Sequence, residues 1–226
     1  MKIISLELQT SQPEKLKTFY TQTLGLPLVA EDDGQFSIQV GFSTITFSTA
    51  PNRPEGPYHF AFNIPRNRIV AAAEWLQEKT AFLYAPGATS PVVEHEIWEA
   101  KAIYFYDPDF NILELIAHKR APESLAPFGP EQLIGLAEVG FAVTDVAGFC
   151  QELRDKLQLP RWKAATASFE AVGDETGMFV VVQDQRPWFP TQNPAVALPT
   201  RVEVQTAGIA TIERAHILIA PTRAIH

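Results

Sequence analysis

The sequence predicts an α+β fold assembled from repeated strand–helix–three-strand modules. Alternating apolar segments of strand length recur along the chain, beginning with Ile3–Gln9. Single helical segments with one apolar face follow the first strand of each repeat. The order restarts after the connector Pro51–Pro57 and again after the proline-rich linker Ala121–Pro130.

In the first module, strand Ile3–Gln9 leads into a helix from Pro13, at its first turn, to Thr23. Leu16, Phe19, Tyr20 and Leu24 share one face of that helix, and Gly25 ends it. Strands near Leu28–Glu31, Phe36–Val40 and Thr44–Ser48 follow, with turns at Asp33-Gly34 and Gly41-Phe42. The second module has strand Tyr58–Ile64 and helix Arg68–Lys79, which buries Ile69, Ala72, Ala73 and Leu76. Strands near Val92–Glu96, Ala102–Tyr106 and Ile112–Ile116 complete it. A third copy opens with Leu136–Val143, and Asp145 caps a helix bearing Val146, Phe149, Cys150, Leu153 and Leu157. Two strands, Ser168–Val172 and Met178–Gln183, are expected after it. The prolines from Pro187 to Pro199 predict a long surface connection. Val202–Gln205 and His216–Ile219 read as remnant strands, too few for a fourth copy. The expected domains are residues 1–120, with two modules, and 131–226, with a third, partly truncated module and the remnant.

With 226 residues the chain can bury one large core or two small ones. A net charge of −8 without a basic run argues against nucleic acid, and no apolar run reaches membrane-spanning length. Cys150 is the only cysteine, which excludes an intrachain disulfide and suits a reducing compartment. Lys2 and Glu7 interrupt the start before a signal-peptide core develops, so a cytoplasmic location is expected.

The chemistry concentrates in His95–Glu114. Strands Ala102–Tyr106 and Ile112–Ile116 flank the turn Asp107-Pro108-Asp109, and Glu114 interrupts the second apolar run. A buried carboxylate costs several kcal/mol unless a cation or hydrogen bonds compensate it. In Tyr58-His59-Phe60-Ala61-Phe62, His59 faces opposite to two aromatics. A His and a Glu on strand faces form half of a divalent-metal site. Read alone, His59 also fits a core imidazole bonded to backbone, and Glu114 a carboxylate paired with a structural Arg or Lys. Nucleophile elbows, phosphate loops and CxxC pairs are absent.

Tyr58–Phe62 followed by Tyr104-Phe105-Tyr106-Asp107-Pro108-Asp109-Phe110-Asn111-Ile112-Leu113-Glu114 resembles the vicinal oxygen chelate superfamily. That group includes glyoxalase I, extradiol ring-cleaving dioxygenases and antibiotic-binding resistance proteins. The resemblance implies paired βαβββ modules that form a cup-shaped sheet around a divalent metal, with ligands from first and last strands. By module position it makes His59 and Glu114 ligands. The first-module ligand positions hold Ser5 and Thr46, so glyoxalase I activity is not expected. Extradiol dioxygenases use a 2-His-1-carboxylate triad suited to Fe(II). Their motif spacing matches Val93-Glu94-His95, Ile103-Tyr104, Asp107-Pro108 and Glu114. The resemblance then gives His95 contact with the oxygen intermediate and Tyr104 the orientation of substrate oxygens.

Two departures stand out. Phe110 replaces a glycine whose turn position often needs positive φ, so a differently built loop is expected. Ser5 leaves the triad one ligand short, and Glu7, on the same strand face, is the candidate replacement. Glu138 fills the first-strand ligand position of the third module, without partner ligands apparent near it. His95, among Glu94, Glu96 and Glu99, also fits a solvated histidine, and Tyr104 a packed strand aromatic. His118 shares Glu114's face and is expected near the exposed rim. The resemblance implies a dioxygenase-type, metal-dependent enzyme using Fe(II) or Mn(II) on a small vicinal-oxygen substrate. The alternative is a non-catalytic small-molecule binder with a degenerate metal site. A small molecule is the expected partner, with neither nucleic acid nor membrane, and a homodimer stays open.

Overall fold

The computed structural model describes residues 1–222. The first module comprises β1 (Lys2–Thr10), α1 (Pro13–Thr18, prolonged by a π-helical turn at Phe19–Thr23), β2 (Leu28–Asp32), β3 (Gln35–Val40) and β4 (Ser43–Thr49). The second comprises β5 (His59–Asn63), α2 (Ile69–Gln77), β6 (Phe82–Leu83), β7 (Val92–His95), β8 (Ala100–Tyr106) and β9 (Ile112–His118). The third comprises β10 (Gly135–Val143), α3 (Val146–Leu157), β11 (Arg161–Thr166), β12 (Phe169–Asp174) and β13 (Gly177–Gln183). A short fourth unit holds β14 (Thr200–Gln205), β15 (Ile212–Glu213) and β16 (Ile217–Pro221).

The third module therefore has three strands after its helix, one more than its sequence pattern predicts. β11 escapes the pattern because Lys163 adopts φ 56° and the pairing with β12 slips between Trp162 and Thr166. β6 and β15 are two residues long and carry no periodicity.

In each full module the first strand runs parallel to the last: β1 with β4, β5 with β9, β10 with β13. Between modules, β5 lies antiparallel to β10 and β1 antiparallel to β14. The second module thus faces the third, and the first faces the fourth, with an Ile3↔Leu136 bridge joining the halves. This pairing crosses the boundary expected between residues 120 and 131. Alternation fixes which face a strand buries, but it says little about which edge meets which.

The two sheet faces differ in side-chain size. One face, packed with the helices, buries Leu6, Phe47, Phe60, Phe62, Leu113, Leu115, Phe141 and Phe179. The opposite face of modules two and three carries Ala61, Ala100, Ala102, Ala137, Ala142 and Ala171 among a few larger residues. Small side chains on a curved sheet leave a hollow. A bulge in β10 between Leu136 and Glu138 lets Leu136 and Val139 both enter the core while Glu138 stands opposite Ala61 in the hollow.

The turn between β8 and β9 is a buried polar knot. Asp107 Oδ1 accepts from the backbone N–H groups of Asp109 and Asn111 at 2.9 and 3.0 Å. Its Oδ2 accepts from Tyr20 Oη and Asn111 Nδ2, each at 2.8 Å. Asp109 accepts from Thr10, Gln12 and Arg53, and Asn111 Oδ1 from the Tyr58 N–H. Contrary to the sequence expectation, Phe110 keeps the glycine-like conformation, with φ 62°. Left-handed backbone costs a non-glycine residue about 1–2 kcal/mol, which the knot around it offsets.

Burial pushes the Asp107 carboxyl up to about 6, while the Asn111 and Tyr20 hydrogen bonds hold it back. A folded pKa above the unfolded one means the linked stability is full below 3.8 and lost as pH rises through about 6. Asp107→Asn forfeits acceptor capacity toward Tyr20 and Asn111 and is expected to destabilise by about 1–3 kcal/mol. The deficit relative to wild type should be larger at about pH 3.5 than at about pH 7.5 in thermal melts. A deficit that grows with pH would contradict this account of the turn.

Candidate metal centre

Strand register builds the centre. Glu138 on β10 stands opposite Ala61 on β5, Ala61 beside Glu114 on β9, and Glu114 opposite Tyr104 on β8. Neighbouring strands lie about 4.8 Å apart, so the backbones of the two glutamates are separated by roughly 9–10 Å. Their side chains close that gap over the methyl group of Ala61. His59, two residues before Ala61, shares its face.

His59 Nε2 lies 3.7 Å from Glu114 Oε2 and 3.7 Å from Glu138 Oε2. All three residues are buried, and their ligand atoms lie within 4.8 Å of one another. His59 Nδ1 is 3.1 Å from the Ile112 carbonyl, which can only accept, so Nδ1 donates there and Nε2 is the nitrogen that faces the glutamates. Trp188 packs on the imidazole, with ring centroids 5.0 Å apart.

The cluster fits a divalent cation. Donor separations of 3.7 Å are shorter than two metal–ligand bonds of about 2.1 Å end to end, so one ion can reach both. Glu138 Oε1 is buried without a hydrogen-bond partner, an acceptor left for something outside the chain. Burial and, next, Glu138 drive the Glu114 carboxyl well above the usual range, with Tyr104 opposing. A dication would remove that repulsion. One imidazole with two carboxylates is a nitrogen and oxygen donor set of the kind that holds divalent metals.

Beside the cluster, Tyr104 Oη and His95 Nε2 are 2.8 Å apart. Burial, then Glu114 and Glu138, raise the Tyr104 phenol well above 10.0, so it stays protonated. Burial lowers the His95 pKa below 6.5, with Glu138 opposing, so at neutral pH the imidazole is uncharged and can accept. A cavity of about 470 Å³ joins these groups, walled by Trp98, Phe169, Trp188 and Phe189.

The expected residues are thus divided. His59, Glu114, His95 and Tyr104 line one cavity. Glu7 lies elsewhere, exposed on β1, its carboxylate 3.3 Å from Ser48 Oγ. Module one faces module four, so Glu138 and not Glu7 meets His59 and Glu114. Thr46 is bonded to Ser37 within its own hairpin. His118 is buried, not at an exposed rim, because Trp162 of β11 packs over its ring. Cys150 sits in the core with its thiol pushed up to about 12 by burial, too protonated to act as a nucleophile. Trp188 and Phe189 escaped the sequence reading because they sit among prolines, though paired aromatics in an exposed connection were a signal.

The family profile described as the Glyoxalase/Bleomycin resistance protein/Dioxygenase superfamily matches residues 2–157. No curated protein sequence matches the chain. Among solved structures, a presumed dioxygenase from Bacillus subtilis superposes with a TM-score of 0.66 at 14% identity, covering 98% of this chain and 85% of its own. Glyoxalase I from Zea mays superposes with a TM-score of 0.57 at 12% identity, covering 97% and 91%. At these identities the likeness is one of fold.

His59→Ala, Glu114→Ala and Glu138→Ala are each expected to weaken divalent-metal binding by well over the roughly 10–100-fold typical of lost supporting groups. Glu7→Ala should leave it unchanged. Metal titration of the purified variants reads this directly. Retention of metal by Glu138→Ala together with loss in Glu7→Ala would overturn the assignment. Glu138→Gln should also raise the melting temperature of the metal-free protein by a few degrees, since it removes one of two facing buried carboxylates.

Proposed function

The chain belongs to the Glyoxalase/Bleomycin resistance protein/Dioxygenase superfamily, and from that premise we propose that it is a metal-dependent enzyme acting on a small molecule with vicinal oxygens. Ring-cleaving dioxygenation is the reaction type its residues resemble most. The observation that carries this reading is the placement of the Tyr104–His95 pair in the same cavity as the His59–Glu114–Glu138 donors. A bound Fe(II) or Mn(II) would supply Lewis acidity and open positions for substrate and dioxygen.

The chain's own contribution is orientation and proton handling. Tyr104 offers a neutral phenol that can hydrogen-bond a substrate oxygen. His95 Nε2, 2.8 Å from the phenol oxygen, is placed to take a proton passed from a substrate hydroxyl. Trp188 and Phe189 hold the substrate ring and keep water from the donors. The donor set has one histidine and two carboxylates where extradiol enzymes use two histidines, so the two carboxylates must make the site harder and more anionic. That departure favours a second reading, in which the aromatic cavity binds an apolar ligand without chemistry.

Loading the purified protein anaerobically with Fe(II) and then supplying oxygen and a panel of catechols separates the two. Turnover should appear as the yellow ring-opened product. His95→Ala and Tyr104→Phe should keep the metal while losing on the order of 10²–10⁴-fold in rate. An iron-loaded protein that binds catechols but never opens them would support the binder. A His95→Ala variant as fast as wild type would remove His95 from the reaction.

A further inference from the structure

We infer that the cavity is built for a planar ring bearing a carboxylate, and that Arg186 is the residue that receives it. This inference rests on the proposed function and specifies its substrate. Arg186 is the only lysine or arginine among the residues lining the cavity. Among the described residues its guanidinium forms no ion pair and no side-chain hydrogen bond. Its guanidinium carbon lies over the ring of Phe169, 5.2 Å from the centroid. With no such ion pair or hydrogen bond, its N–H fork, which matches a carboxylate in two parallel hydrogen bonds, is available to a ligand.

The charges point the same way. The other cavity carboxylate, Glu94, is paired with Lys101 at 2.7 Å. A dication would balance Glu114 and Glu138. Arg186 would then be the one uncompensated charge on the cavity wall, and it calls for a single anionic substituent.

The arginine is also held in place. Its N–H donates to the Gln183 carbonyl at 3.0 Å, and its carbonyl accepts from the Ala195 N–H at 2.9 Å. A Pro187↔Pro194 bridge and a Trp188 N–H bond to Asn193 O continue this ladder. Asn193 Nδ2 ties the far end to Tyr106 Oη at 2.8 Å. The same segment presents Phe189 edge-on to His95 and Tyr104, with centroids 5.8 and 5.4 Å away. Two of the four ring walls and the arginine therefore come from one braced connection, so that a substrate would meet them together. A braced main chain places the base of the arginine side chain and so removes part of the ordering cost of binding.

The test uses the full chain, metal-free and loaded with redox-inert Zn(II). Binding of 3,4-dihydroxybenzoate, its methyl ester and catechol is measured by calorimetry or tryptophan quenching. The acid should bind about tenfold or more tightly than the ester, as one charge-assisted contact warrants, and the advantage should shrink with salt. In Arg186→Gln the acid-to-ester ratio should fall close to one. Arg186→Lys should keep part of it. Melting curves establish that both variants fold. Equal affinity for acid and ester in wild type, or an unchanged ratio in Arg186→Gln, overturns the inference. A wild type that holds metal and cleaves catechol without preferring the acid refutes this subsite alone. A wild type that binds no metal yet prefers the acid refutes the enzyme reading and keeps Arg186.

Discussion

Two carboxylates that share one buried row of the sheet, separated by a single alanine, set the terms for the rest of the molecule. Glu114 and Glu138 are both about 2% exposed, too deep for water to screen their repulsion. They approach each other because β5 pairs with β9 on one side and β10 on the other, and because Ala61 between them fills almost no space. A larger residue at Ala61 would occupy the volume where the carboxylates and the His59 imidazole converge. The small residues around it keep the hollow open, and the β10 bulge lets the strand serve core and hollow together. A cation there would offset the repulsion that burial leaves unscreened.

The second fixed point is the Asp107–Asn111 knot. It ties β8 to β9, and those strands carry Tyr104 and Glu114 in register. It also receives Tyr20 from the first module's helix, Thr10 from the end of β1 and Arg53 from the connector. The first module therefore has a role at the centre without donating a ligand to it: its polar side chains hold the turn that sets the register of the second module. The left-handed Phe110 shows how firmly this is done, since an exposed phenylalanine accepts a glycine's backbone conformation there.

Much of this was legible in the chain. Alternation located nearly every long strand, and a charge within an apolar run singled out Glu114. His59 was read correctly as facing opposite to Phe60 and Phe62. What the sequence concealed was pairing between modules. Glu138 stood in a run as apolar as Glu114's, yet its partners lie on strands 24 or more residues away, and no local pattern reports which edges meet. The same blind spot promoted Glu7, whose own strand faces the fourth unit. His118 looked like a rim residue because the strand that covers it, β11, has irregular alternation and a positive φ at Lys163. Prolines hid the wall residues of the Arg186–Asn193 connection, because they signal turns without saying what the turns enclose.

The division of labour between strands and connection has a consequence for how such a protein can change. The candidate metal donors sit on β5, β9 and β10, interior strands each hydrogen-bonded on both sides, where any shift disturbs two neighbours. Arg186, Trp188 and Phe189 belong to one segment between β13 and β14, closed on itself by its own ladder. Gly140, on the strand beneath, leaves just enough room for the Trp188 ring, since a Cβ there would lie 2.6 Å from it. Substitutions in that segment can redraw the shape and charge of the cavity while the donors stay in register. Ligand preference on such a fold can therefore drift while the candidate donor cluster stays as it is.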